Sequence, residues 1–253
     1  MKKNKLIILF LLVFCQCAND QKTVDENEFG LTISSGECFP EVSDQYVYPV
    51  IPGMEEWQQL ESIDDAYKLV QLPDEVLKSI STPGLIDALI HAPLFTGFYL
   101  FSSNASALKW HEHYTNFNSS RELFQRKDAG DALVAYYKLA RFDCIDLPVG
   151  VYGEYEKMMG LEILFTIQEI VDQIAHTKKK EAVAALLEKR KQHPEYSNGI
   201  FPMAYLMLAD KYDPIVKYSL NHAEEFQSIL DGYFYSFPEQ ADLIVSFAKS
   251  FIK

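Results

Sequence analysis

Tyr155-Glu156-Lys157-Met158-Met159-Gly160-Leu161-Glu162-Ile163-Leu164-Phe165-Thr166-Ile167-Gln168-Glu169-Ile170-Val171-Asp172-Gln173-Ile174-Ala175 is the stretch whose periodicity decides the fold class. Its polar residues Glu162, Thr166, Glu169 and Gln173 recur at helical spacing and form one narrow edge. Leu161, Leu164, Phe165, Ile170, Val171 and Ile174 cover the rest of the circumference. A helix that is apolar on most sides belongs inside a protein, so this spacing predicts a central helix over about 155–175. The same periodicity continues toward the C-terminus. Leu220, Ala223, Phe226, Leu230, Tyr233 and Phe237 share one face, and Leu243, Ile244, Phe247, Ala248 and Phe251 share that of the last helix. Both faces are expected to pack on the central helix.

Working outward in the other direction, helix punctuation follows with little else between. Ser62 ahead of Ile63-Asp64-Asp65 reads as an N-cap with an acidic first turn, and Thr82-Pro83 puts proline at the first helical position of another helix. Further starts fall at Asp74, Asn104, Ser119 and Asp128, and breaks at Pro194, Asn198-Gly199, Asp213-Pro214 and Phe237-Pro238. Tyr46 to Gly53 is held extended by Pro49 and Pro52. No self-similarity at the spacing of the known helical repeats is present. The expected architecture is all-α: an irregular multihelical bundle, with loosely stacked helix pairs as its variant, over residues 46–253 after an extended N-terminal segment.

The first seventeen residues address the chain. Lys2, Lys3 and Lys5 precede the uninterrupted apolar run Leu6 to Phe14, the order and length of a secretory leader. As a helix that run covers about 14 Å, roughly half a hydrocarbon core, too short for a lasting transmembrane anchor. Phe14-Cys15-Gln16-Cys17-Ala18-Asn19-Asp20 then resembles the relaxed lipoprotein cleavage sites of Bacteroidetes-type bacteria. The resemblance implies a signal peptide over 1–17 and lipidation at Cys17, with Cys15 as the second choice and ordinary cleavage near Cys17 or Ala18 as the plain alternative. Residues 18–45 are polar and weakly periodic, with Thr32 to Gly36 the only hint of a strand, and are expected to form a tether.

Composition narrows the partners. With 48% hydrophobic residues the chain can bury a real core, and its formal net charge is −13. Loss of the leader with its three lysines leaves 20 basic residues against 36 acidic ones, a net charge near −16. Such a field repels nucleic acid and anionic lipid headgroups, so no nucleic-acid partner is expected, and the membrane is reached through the N-terminal lipid alone. Cys38 and Cys144 remain downstream. In an oxidising compartment they permit one bridge, closing a loop of about 100 residues worth on the order of 4 to 5 kcal/mol; two unpaired thiols are the other reading.

A resemblance covers roughly residues 46–140. Tyr48-Pro49-Val50-Ile51-Pro52-Gly53-Met54-Glu55-Glu56-Trp57, Leu72-Pro73-Asp74-Glu75-Val76-Leu77, Ser81-Thr82 and Arg126-Lys127-Asp128-Ala129-Gly130 are similar to a group of exported helical proteins of gut-type bacteria. The resemblance implies export and a helical fold. It implies no activity, because none is assigned to that group.

No stretch carries a catalytic signature. His-Glu-x-x-His, Gly-x-Ser-x-Gly, the phosphate-cradling loops, a calcium loop and Cys-x-x-Cys are all missing from the sequence, and no cofactor or metal is expected. Trp110-His111-Glu112-His113-Tyr114 is the most chemical-looking cluster. On a helix, residues two apart point about 200° away from each other, so one metal ion does not reach both imidazoles; His111 or His113 at a packing edge is the expectation. Lys178-Lys179-Lys180 to Lys189-Arg190-Lys191 inverts the sign of the chain. It is expected as a solvated helix with cations at its C-terminal end, and an acidic partner for it is the sharper reading. The aromatic groups Phe95 to Phe101, Tyr136-Tyr137 and Tyr233 to Phe237 read as core, with a ring-lined groove as the alternative. The chain is therefore expected to be a tethered, non-catalytic module binding a protein, peptide or glycan. A cell-envelope hydrolase using dispersed carboxylates is the rival, and a purely structural envelope protein without a groove is the third reading.

Overall fold

The computed structural model describes residues 28–95, 112–144, 153–192, 199–230 and 238–253. The helices among them are α1 (Glu55–Gln58), α2 (Ile63–Leu69), α3 (Asp74–Ser79), α4 (Thr82–Ile90), α5 (Asn118–Gln125), α6 (Ala129–Leu139), α7 (Glu154–Leu164), α8 (Gln168–Val171), α9 (His176–Gln192), α10 (Ile200–Ala209), α11 (Asp213–Asn221), α12 (Ala223–Leu230) and α13 (Pro238–Phe251). The only β pairing among the described residues is an isolated antiparallel bridge between Thr32 and Glu41. The fold is all-α. Cys17 and the whole leader lie outside the described residues, and no helix within them is long and apolar enough to cross a membrane.

Local chemistry places the helix starts. The Ser62 hydroxyl accepts from the Asp65 N–H at 3.2 Å and opens α2. At α4 the cap is Ser81, one residue before the predicted Thr82: its hydroxyl accepts from the Gly84 N–H at 3.0 Å. Thr82 is thereby free to donate to the Asp128 carboxylate at 2.9 Å, which joins the starts of α4 and α6. Arg126 donates to the carbonyls of Leu77 and Ile80 at 3.1 and 2.7 Å, filling the C-terminal end of α3. Asn118 clasps the Leu72 backbone from both sides, accepting at 2.9 Å and donating at 2.8 Å.

Every residue of α4 is buried. This helix, flanked by α5, α6 and α7, is the centre of the first half, whereas α10 holds the second half together against α9, α11, α12 and α13. The long junction is α6 against α9. The predicted central helix over 155–175 is broken. It ends at Leu164 in a tight turn whose N–H groups of Phe165, Thr166 and Ile167 reach back three residues instead of four, while the Thr166 hydroxyl donates to the Ile163 carbonyl at 2.7 Å. The bend lets Ile170, Val171 and Ile174 return to the core under α5 and α6. Gly130 of α6 makes room for them, since a Cβ there would lie 2.6 Å from the Ile174 side chain.

Three other expectations change. Residues 28–45, read as part of the tether, are packed on the body: Leu31, Cys38 and Phe39 are buried, because three apolar side chains spaced along a polar arm suffice to dock it. Leu220 is 77% exposed, since α11 ends at Asn221 and α12 starts a new direction at Ala223. The last helix buries Ile244, Ala248 and Phe251 as predicted, but against α9 and α10 rather than against 155–175.

Candidate functional site

The junction of α6 and α9 carries the site. α6 ends at Leu139, and its cap residue Ala140 is extended, which leaves the last carbonyls of the helix without intrahelical donors. The ammonium of Lys189, in the last turn of α9, donates to the Ala140 carbonyl and sits 5.0 Å over the centre of the Tyr137 ring. A cation at the negative end of α6 is favourable there. The Tyr137 hydroxyl donates in turn to Glu162 Oε1 of α7 at 2.6 Å. Three elements thus converge on one aromatic ring.

Burial sets the electrostatics of this trio. Glu162 is 4% exposed, and removal from water raises its carboxyl from 4.5 to about 7, against the lowering effect of the Tyr137 hydrogen bond and of the positive charges on Lys189 and Arg190. Lys189 is 8% exposed, and the same cause lowers its ammonium from 10.5 to about 8, while Glu162 and Asp143 pull it back up. The Tyr137 hydroxyl is driven well above its ordinary range by burial, then by the Glu162 charge. No carboxylate lies within ion-pair distance of Lys189 among the described residues, although Glu162 and Asp143 act on it through space.

In front of Lys189 opens a groove of about 840 Å³. Ala184 and Ala185 line it together with side chains charged in both signs. Lys138 is tied to Glu181 at 2.7 Å, and Arg141 holds Asp143 through two parallel hydrogen bonds of 2.8 and 2.5 Å. The Lys138 hydrogen bond keeps the Glu181 carboxyl below its usual value. No aromatic side chain lines the groove among the described residues.

The predicted candidates fall into place unevenly. Of the basic run on α9, only part is a solvated face. Lys179 and Lys189 are buried, Lys178 is paired with Glu28 at 3.0 Å, Lys180 lies over the Phe251 ring, and Lys191 pairs with Glu188 at 3.6 Å. Glu162 and Thr166, read as a polar edge, are inside. Tyr136, Tyr137 and Phe95 are core residues, while Phe98, Tyr99, Phe101 and Tyr233 to Phe237 lie outside the described residues. His113 is buried: its Nε2 donates to the Phe95 carbonyl at 3.1 Å, so its Nδ1 accepts from the Tyr67 hydroxyl at 3.0 Å. Burial lowers the basicity of that imidazole, and a ring engaged on both nitrogens is a structural one. His111 lies outside the described residues, and no group of His, Cys, Asp and Glu among those residues is arranged to hold a metal ion. Cys38 and Cys144 are joined as a disulfide with their Cα atoms 5.5 Å apart, which fastens the docked arm beside Arg141, whose N–H donates to the Cys38 carbonyl at 2.8 Å.

Tyr137, Glu162 and Lys189 were not foreseen as a unit. The one available signal was Glu162 itself, a carboxylate set among Leu161, Ile163 and Leu164 in a segment too apolar to be a surface helix. Comparison with family models, curated proteins and solved structures finds no match for the chain, so what the groove can do rests on its own chemistry.

Proposed function

We propose that the chain is an extracytoplasmic, lipid-tethered binding module that takes an acidic peptide segment in the groove between α6 and α9. The observation that carries this reading is the Lys189 ammonium: it is almost fully buried on the groove wall, has a carbonyl and a ring for neighbours, and lacks a carboxylate within ion-pair distance among the described residues. A ligand carboxylate arriving there replaces water with a charge-assisted hydrogen bond in a poorly solvated place. A peptide suits the walls better than a sugar. Charged side chains of both signs in the lining offer donors and acceptors to a peptide backbone, whereas sugar faces are favoured by aromatic rings, and none lines this groove among the described residues.

The hydrolase reading has less support. The Lys138 hydrogen bond holds the Glu181 carboxyl below its usual value, which disfavours proton donation, Asp143 is engaged by Arg141, and Glu162 lies behind Tyr137 and is not among the residues lining the groove. A purely structural protein gives no reason for a groove of this size. The leader and the Cys15-Gln16-Cys17 site support the tether.

Titration calorimetry with acetyl-tetraglutamate amide tests the ligand. Saturable binding is expected, weakened at least tenfold in Lys189→Met, which keeps the apolar stem and removes the charge. Equal affinity of the variant, or binding of an oligogalacturonate in preference to the peptide, overturns the assignment. Mass spectrometry of the mature N-terminus tests the anchor: a diacylglyceryl group on Cys17 is expected, and an unmodified terminus at or beyond Ala18 removes it.

A further inference from the structure

A second cavity, of about 500 Å³, lies between the Gly36–Glu41 part of the docked arm and the helical body, and shares no lining residue with the α6–α9 groove. Asp87 of α4 lines it and is 1% exposed. Its Oδ1 is occupied: the Tyr136 hydroxyl donates to it at 2.9 Å, while His91 Nδ1, 3.3 Å from the same oxygen, donates to the Asp87 backbone carbonyl at 2.9 Å. Its Oδ2 has no hydrogen-bond donor among the described residues. A buried carboxylate oxygen left unpaired is unfavourable unless something bearing a donor enters the cavity. The remaining wall favours a cation as that donor. Glu37, Glu41 and Glu154 add carboxylates to it; Glu154 shares its charge with Lys157 at 3.2 Å, and Glu41 accepts from Ser34.

The kind of cation follows from the geometry. A metal ion is disfavoured, because no three His, Cys, Asp or Glu side chains among the described residues are spaced to hold one. A guanidinium binds best through a fork that uses both carboxylate oxygens, and one of these is already taken. An ammonium is a point donor that needs a single free oxygen, and Phe39 and Pro40 offer an apolar wall for a methylene stem. We propose that this cavity binds a primary alkylammonium group, its nitrogen paired with Asp87 Oδ2 and its stem lying along Phe39 and Pro40.

Saturation-transfer NMR and calorimetry on the full chain with n-butylammonium test this. Saturable binding is expected for n-butylammonium and not for tetramethylammonium at equal ionic strength, because the latter has the charge without an N–H. Asp87→Asn keeps the acceptor for Tyr136 and removes the charge, and is expected to weaken binding at least tenfold. Should that variant fail to fold, Glu154→Gln at the rim is expected to weaken binding two- to fivefold. Putrescine and Nα-acetyl-lysine amide carry the same head group from a free amine and from a peptide, and the tighter of the two names the source. No saturable binding by n-butylammonium, equal binding of tetramethylammonium, or undiminished binding in the folded variant overturns the proposal.

Discussion

Glu162 shows how much one side chain can govern. Its carboxyl titrates near 4.5 in the unfolded chain and at about 7 in the folded protein, because burial disfavours the charge. Between those values the folded state keeps a proton that the unfolded chain has released. The stability contributed by this residue is therefore present in full below the unfolded value and is lost as pH rises through 7, by on the order of 3 kcal/mol. Glu162→Gln removes the titration while keeping an acceptor for Tyr137. Urea midpoints measured at steps from about pH 5 to about 7.5 are expected to fall less for the variant than for the native chain; parallel curves would show that Glu162 is ionised throughout. Lys189 acts in the opposite direction, its folded value of about 8 lying below the unfolded 10.5, so its contribution rises with pH above 8 and leaves the acid window to Glu162.

Among the elements, the end of α10 shows a sequence working against its own geometry. Lys211 takes a left-handed backbone, φ 55°, and its N–H and that of Tyr212 return to the carbonyls of Leu208 and Met207 at 2.9 and 3.0 Å. This is the doubly bonded helix stop in which glycine is preferred, because a Cβ is disfavoured at positive φ. Lys211→Gly is expected to raise stability by about 0.5 to 1 kcal/mol. A thermal melt that shows a loss would mean that the lysine stem contributes packing that outweighs the strain. Asp213-Pro214, read from the sequence as a break, follows the stop directly and forms the first turn of α11, where proline's fixed φ and missing N–H are tolerated. The break after Leu164 was not readable: nothing local stops a helix there except Thr166, and the return of Ile170 and Ile174 to the core depends on where α5 and α6 lie.

At the scale of the molecule, the docked arm and its disulfide connect residues 106 positions apart and close one wall of the Asp87 cavity. Releasing that link frees a long loop in the unfolded chain, and reduction is expected to cost about 2 to 5 kcal/mol. Denaturant midpoints with and without a phosphine reductant measure it, and an unchanged midpoint would mean that the arm is held by Leu31 and Phe39 alone. Reduction is also expected to leave the α6–α9 contact in place, since that junction rests on α-helical packing and on the Lys189 and Glu162 contacts to Tyr137, not on the arm.

What the sequence determined by itself is whatever neighbouring residues settle among themselves. The all-α class, the cap at Ser62, the break at Asp213-Pro214, and the inward face Ile244, Ala248, Phe251 of the last helix all follow from residues close together in the chain. Only the tertiary structure decided that Glu162 and Lys189 go inside, that the 28–45 arm docks, and that Asp87 keeps one oxygen without a donor. The physical reason is that a charged side chain is buried or exposed according to the partner another helix brings to it. Tyr137 stands 25 residues from Glu162, and Ala140 stands 49 from Lys189, a distance along the chain at which periodicity carries no information.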